Sequence, residues 1–204
     1  MRKLQSSCSE RKVSLADLLR QRKFEEIKRS SAVIAYLYHT DELLRFRAAE
    51  ALGYLCRGEK AREIILRLFW HLSDESGGYC VGAPLGIAEI GRSNPEIFEA
   101  FKNKFVSLLD DWEVERKYVA YGIGVTARIV RGAYPDPVAK LREKIDEVRS
   151  AEFRAYALWA LKLIKEDIKD LIERFKDSEE LVNFYDGERI LKLKFRDFIF
   201  QNLL

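Results

Sequence analysis

The chain has 204 residues, 48% of them hydrophobic and 34% charged, too apolar for a disordered chain and long enough to bury a real core. Thirty-six Lys and Arg against 33 Asp and Glu leave a net charge of +3, a balance that does not by itself point to nucleic acid. There is no run of about 18 apolar residues, so no transmembrane helix is expected, and the opening MRKLQSSCSERK lacks the apolar stretch of a secretory signal.

In chain order, residues 1–12 read as a loose basic tail; residues 1–30 together carry a local excess of positive charge. Ser14 is placed to cap a first helix bearing Leu15, Leu18 and Leu19, and Ser30-Ser31 and Asp41 are further caps. Two kinds of helix then alternate through residues 13–178. The amphipathic kind covers Ala61–Leu72, Pro95–Leu109 and Asp136–Val148. In the second of these, Phe98, Phe101, Phe105 and Leu109 form one apolar face. The other kind is rich in Ala and Gly and covers Glu42–Cys56, Pro84–Gly91, Val114–Val130 and Ala151–Lys165. Residues 179–204 change period. Leu181–Tyr185, Asp186-Gly187 and Arg189–Leu193 read as a β-hairpin, and Phe195–Leu204 as a last helix. This tail is expected to cap the array, or else to make a homodimer.

The Ala/Gly-rich helices repeat. Arg47, Gly82, Arg116 and Arg154 occupy equivalent places, at steps of 35, 34 and 38 residues, and small residues follow each at matching offsets. Such a period marks an array of two-helix units. The segment RFRAAEALGYL carries the pattern best and resembles the HEAT-repeat family, in particular the short prokaryotic repeats of the phycobilin-lyase type. LYHTDELLRFRAAEALG, LFWHLSDESGGYCVGAPLGIAEIG and the carboxy-terminal hairpin together look like an uncharacterised prokaryotic group within it. The resemblance implies an all-α, HEAT-like α-solenoid of about four two-helix repeats with a small β-hairpin and helix at its end. It also implies a structural ladder made by Asp41 with Arg47 and by Asp110 with Arg116. The ladder is broken where Ser76 and Gly82, and Val148 before Arg154, replace its members.

Cys8, Cys56 and Cys80 form no CxxC pair, and His39 and His71 have no second ligand close in sequence, so no metal site, cofactor or disulfide framework is expected. A reducing cytoplasm follows. Scarce Gln and Asn beside abundant Lys, Arg and Glu are a bias found in thermophile proteins. No nucleophile–base motif, P-loop or dinucleotide fingerprint is present, which argues against an enzyme.

The repeat is most violated at Ser73–Gly82, a stretch of acids and glycines. Glu89, inside an apolar helix, must be paired or must face a groove, and Arg128 is its counterpart one unit later; a Glu89–Arg128 ion pair is the plainest expectation. The sharper one is a single partner or ligand groove formed by Trp70, Asp74, Glu75, Gly77, Gly78, Glu89 and Arg128. The function expected is that of a scaffold or adaptor presenting a concave surface to a protein or peptide. The alternative is a nucleic-acid-binding protein similar to HEAT-like alkylpurine DNA glycosylases, drawn from Trp70, Trp112 and Trp159. A basic trough would favour that alternative and an acidic or mixed one the adaptor.

Overall fold

The computed structural model describes residues 13–73 and 78–203. The fold is all-α with one small antiparallel hairpin. Short helices α1 (Leu15–Arg20) and α2 (Ser30–Ile34) precede α3 (Glu42–Leu55). Ser14 caps α1 by accepting the Asp17 N–H at 3.2 Å, and Asp41 caps α3 by accepting the N–H groups of Leu43 and Leu44. Ser30 is no cap; it is the first helical residue of α2.

The next elements are α4 (Glu59–Trp70), α5 (Ala83–Ser93), α6 (Pro95–Phe98), α7 (Lys102–Ser107), α8 (Arg116–Val125), α9 (Ala127–Val130), α10 (Pro137–Glu147) and α11 (Ala151–Ile164). The Ala/Gly-rich helices α3, α5, α8 and α11 pack side by side in chain order. A second layer covers them, with α4 on α5, α7 on α8 and α10 on α11. Close approach within the row depends on small residues. A Cβ on Gly53 would lie 2.7 Å from the Glu89 carbonyl oxygen, and one on Gly122 would lie 2.8 Å from the Ala88 Cβ. Ala51, Gly53, Ala120 and Gly122 are all buried, as the repeat pattern requires. Phe98, Phe101, Phe105 and Leu109 are buried too, although the helix expected over 95–109 is split into α6, α7 and a 3₁₀ turn at Leu108–Asp110.

One further break matters more. The helix expected over 114–130 stops at Thr126, whose hydroxyl donates to the Gly122 carbonyl at 2.6 Å. A Thr that bonds back to the preceding turn bends a helix, and two glycines just before it weaken the turn. Residues 127–130 therefore form the separate turn α9.

The row curls. Phe46 on α3 meets Tyr121 on α8 at 5.1 Å between ring centroids and Tyr156 on α11 at 6.4 Å. Lys117 draws the amino-terminal ends together, pairing with Glu42 of α3 at 2.9 Å and Glu152 of α11 at 2.5 Å. The inside of the curl is thus filled with aromatic rings rather than open along its length.

After α12 (Lys169–Phe175), the hairpin pairs β1 (Leu181–Tyr185) with β2 (Ile190–Lys194), Tyr185 opposite Ile190. The second strand begins one residue later than expected, because residues 186–189 make the turn, with Gly187 at φ +101°. The last helix, α13, is Phe195–Asn202. The tail faces inward: Phe184 touches Tyr156 and Phe198, and Phe195, Phe198 and Ile199 are buried. Tyr185 reaches further, stacking on Phe46 at 4.2 Å. The hairpin therefore spans from the last helix of the row to the first.

Candidate functional site: a basic groove at the helix ends

The carboxy-terminal ends of α5, α8 and α11 do not close on one another. Between them lies a cavity of about 840 Å3, within the range of ligand sites. Arg92, Arg128, Arg131 and Lys165 line it, all four exposed to solvent, and among the described residues no acidic one does. The floor is apolar, made by Val125, Ile129, Leu163 and the indole of Trp159. Trp159 lies flat on Tyr121, with ring centroids 5.7 Å apart and planes at 10°.

Each cation comes from a helix end for a local reason. Arg92 is in the last turn of α5, and Arg131 and Lys165 directly follow α9 and α11. Positive charge is favoured there by the helix dipole. Lys165 has φ +69°, the left-handed conformation of a helix C-cap, which turns the chain at the rim. Arg131 donates to the Ile164 carbonyl, tying α9 to α11. Arg128 and Lys165 have no side-chain partner among the described residues. Arg128 is available to a ligand because the break at Thr126 sets α9 apart from α8.

A smaller cavity of about 250 Å3 adjoins the groove, sharing Arg92, Val125 and Trp159. It runs under the hairpin and is bounded by Arg22, Glu50, Tyr121 and Tyr185. Of these, Arg22, Glu50 and Tyr185 are joined to one another. Glu50, 8% exposed, accepts from Arg22 at 2.8 and 3.2 Å, from Arg47 at 3.0 Å and from the Tyr185 hydroxyl at 2.6 Å. Arg47 also donates to Tyr185 at 2.9 Å and to the carbonyls of Gly187 and Glu188. These contacts fasten the hairpin turn to α3.

Glu89 is 1% exposed and lies beneath the groove, not among its lining residues. It accepts from the Tyr121 hydroxyl at 2.6 Å, and Arg92 stands 2.6 Å from its other oxygen, a charge contact whose alignment falls short of a hydrogen bond. Burial pushes the Glu89 carboxyl above its ordinary pKa, against the pull of Arg92 and Tyr121. Burial, with the Glu89 charge beside it, pushes the Tyr121 hydroxyl up as well.

The expected Glu89–Arg128 pair is thus replaced by Glu89–Arg92, one turn apart on α5. Arg128 reaches the groove without touching Glu89. Trp70 ends α4, half exposed and edge-on to His71, and does not line the groove. Gly78 is exposed, while Asp74, Glu75 and Gly77 lie outside the described residues. The expected Asp–Arg ladder is also replaced. Asp41 uses its carboxylate on the α3 cap and on Arg20 at 3.5 Å, while Arg47 turns to the hairpin. Asp110 pairs with Lys140 at 3.0 Å and Lys144 at 3.2 Å, and Arg116 reaches only its backbone carbonyl.

Arg92, Arg131, Lys165 and Trp159 are the groove residues that sequence reasoning missed as a set. A signal was there: Arg57, Arg92, Arg128 and Lys165 recur close to the repeat period. Among the described residues, no group of three or more His, Cys, Asp and Glu could hold a metal ion, and no helix is long and apolar enough to cross a membrane.

The chain is 66% identical over 175 residues to an uncharacterised protein of Archaeoglobus fulgidus, a match covering 86% of this chain and 95% of that one. No protein-family model and no solved structure matches the chain.

Proposed function

We propose that this chain, which belongs to the same family as the Archaeoglobus fulgidus protein, is a non-enzymatic binding protein of the adaptor kind, a HEAT-like array whose basic groove holds an acidic, apolar-anchored segment of a protein or peptide. The observation that carries the reading is the groove lining: four cations and, among the described residues, no acid around an apolar floor. Like charges gathered at one rim repel each other, and an anionic partner relieves that repulsion. The apolar floor has room for side chains, which a purely ionic site would not need. A cytoplasmic setting agrees with Cys56 and Cys80, both buried and free.

A second reading, single-stranded nucleic acid, is favoured by one feature, the Trp159 indole among the cations, since bases stack on aromatic rings. The peptide reading is preferred because the rest of the floor is aliphatic and the net charge is only +3.

Fluorescence anisotropy separates the two. The probes are a labelled 12-residue peptide alternating Glu and Leu, its Gln-for-Glu counterpart, and labelled oligothymidylate. Binding of the acidic peptide alone, lost in Arg128→Glu/Lys165→Glu, is the expected result. Preference for the oligonucleotide would transfer the groove to the second reading, and no binding of any probe at low salt would overturn both.

A further inference from the structure

The proposed groove requires a partner segment with acids flanking an apolar anchor, and such a segment exists on this chain. Asp110-Asp111-Trp112-Glu113-Val114-Glu115 has four carboxylates in six residues, and Trp112 is 80% exposed, far more than Trp159 on the groove floor. Tyr134 and Phe200 are as exposed, but of the three only Trp112 is flanked on both sides by carboxylates, Asp111 and Glu113.

The segment is held rigidly. Asp111 accepts the Glu113 N–H at 3.0 Å, the Tyr79 hydroxyl accepts the Glu115 N–H at 2.8 Å, and Val114 is buried beneath. Asp110 is anchored by Lys140 and Lys144. The tip presents Trp112 between Asp111 and Glu113, and a preformed tip loses little conformational freedom on docking.

We infer that the Asp110–Glu115 turn of one molecule docks in the basic groove of a second copy, so that the chain associates head to tail. Trp112 would enter over Val125, Ile129 and Leu163, with Asp111 and Glu113 facing Arg128, Arg131 and Lys165. This inference rests on the peptide reading of the groove.

Placement argues that the contact is between molecules. The turn lies at the amino-terminal end of α8 and the groove at its carboxy-terminal end. Those ends are about 15 Å apart along a rigid helix and point in opposite directions, so a chain cannot fill its own groove. Two different surfaces meeting in this way make a heterologous contact, which closes into a ring where the rotation between copies permits and otherwise leaves one turn and one groove open at the ends of each assembly. It is distinct from a dimer through the carboxy-terminal segment, whose large apolar side chains, Leu181 and Phe200 apart, are buried or half-buried against the rest of the chain.

Sedimentation velocity on the full chain over a wide concentration series tests this. The average mass is expected to rise with concentration at low salt and to return to that of the monomer at 0.5 M NaCl, since exposed charges are screened there. Trp112→Ser and Arg128→Glu/Lys165→Glu should each weaken self-association by about tenfold or more, a change of about 1.4 kcal/mol, with unchanged circular dichroism. Mixed together, the two variants retain one intact groove and one intact turn, and should form a 1:1 complex that grows no further. A wild-type chain that stays monomeric at every concentration, or a Trp112→Ser variant that assembles like wild type, overturns the inference. If the Glu/Leu peptide still binds that monomeric chain, self-docking fails and the groove reading stands; if it does not, both fail.

Discussion

Replacing Arg47 with Met tests whether the arginine of the first unit serves the hairpin rather than a ladder with Asp41. The Arg47 side chain is 6% exposed and gives up an ion pair to Glu50 at 3.0 Å, a hydrogen bond to Tyr185 at 2.9 Å and contacts to two turn carbonyls. Removing one partner of a buried ion pair costs about 3–5 kcal/mol. Arg22 remains on Glu50 at 2.8 Å, so the low end, about 3 kcal/mol, applies. For a chain of this size, that lowers Tm by about 6–12 °C. Asp41→Ala, which removes only the α3 cap and an exposed pair to Arg20, should cost about 1 kcal/mol. Urea unfolding followed by circular dichroism, run as two double-mutant cycles, reads the difference. Arg47 and Tyr185 should couple by about 0.5–3 kcal/mol, whereas Arg47 and Asp41 should be additive. Coupling to Asp41 larger than coupling to Tyr185 would refute the reasoning and restore the ladder.

Because burial raises the Glu89 carboxyl pKa, the folded chain holds that proton more tightly than the unfolded chain does. Its contribution is full below the ordinary glutamate pKa of about 4.3 and is lost as pH rises through the raised folded value. Glu89→Gln should therefore match wild type in urea midpoint near pH 4 and exceed it increasingly toward pH 8; a variant that loses ground instead means Arg92 keeps the carboxylate charged. Gly122→Leu should cost about 1–3 kcal/mol by overpacking against Ala88 and Phe105, and an unchanged Tm would contradict the close α5–α8 contact. A Cβ at Gly124 would lie 2.7 Å from Cε3 of Trp159, so Gly124→Ala should lift the indole off Tyr121. In a Trp70→Phe/Trp112→Phe background this should shift the emission and weaken Glu/Leu peptide binding; an unmoved spectrum would place the indole elsewhere. Deleting 180–204 uncovers Phe46 and Tyr156 and should give an aggregating chain, a reading that a soluble, equally stable truncation rejects.

Local chemistry made much of the fold legible. Asp41 marks the start of α3 because it supplies the cap that helix needs, and the Ala- and Gly-rich pattern places both α3 and α11 to within a residue at each end. The Asp-Gly pair placed the hairpin, and only the length of its turn was missed. Long-range partners were not legible. Nothing near Arg47 in sequence announces Tyr185, 138 residues later, and the ladder expectation attached it to Asp41 instead. Glu89 was rightly singled out as a buried carboxylate that must be paired. Its partner three residues on was passed over for Arg128, although i,i+3 spacing puts Arg92 on the same helix face. The groove was hidden for a different reason: it depends on the helix stopping at Thr126, a break that the run of apolar residues through Val130 conceals.

The position of the groove follows from how the two ends of the row are built. At the amino-terminal ends of α3, α8 and α11, Lys117 is shared between two carboxylates, and Phe46, Tyr121, Tyr156 and Tyr185 fill the space between the helices. Opposite charges and large rings pull that end shut. At the other end the residues meeting across the gap are arginines and a lysine. One cation in the last turn of a helix suits the dipole, and Arg57 does only that, donating to the Gly53 and Cys56 carbonyls of its own helix end. Four cations around one cavity go beyond what helix ends need. Arg92 has Glu89 and Arg131 has a carbonyl, but Arg128 and Lys165 add charge to the rim with no described partner. Interleaved acids would have closed this end as Glu42 and Glu152 close the other. Without acids among the described lining residues, four like charges surround the aliphatic floor, and on the proposed reading an anionic partner takes the place that Glu42 and Glu152 hold at the other end.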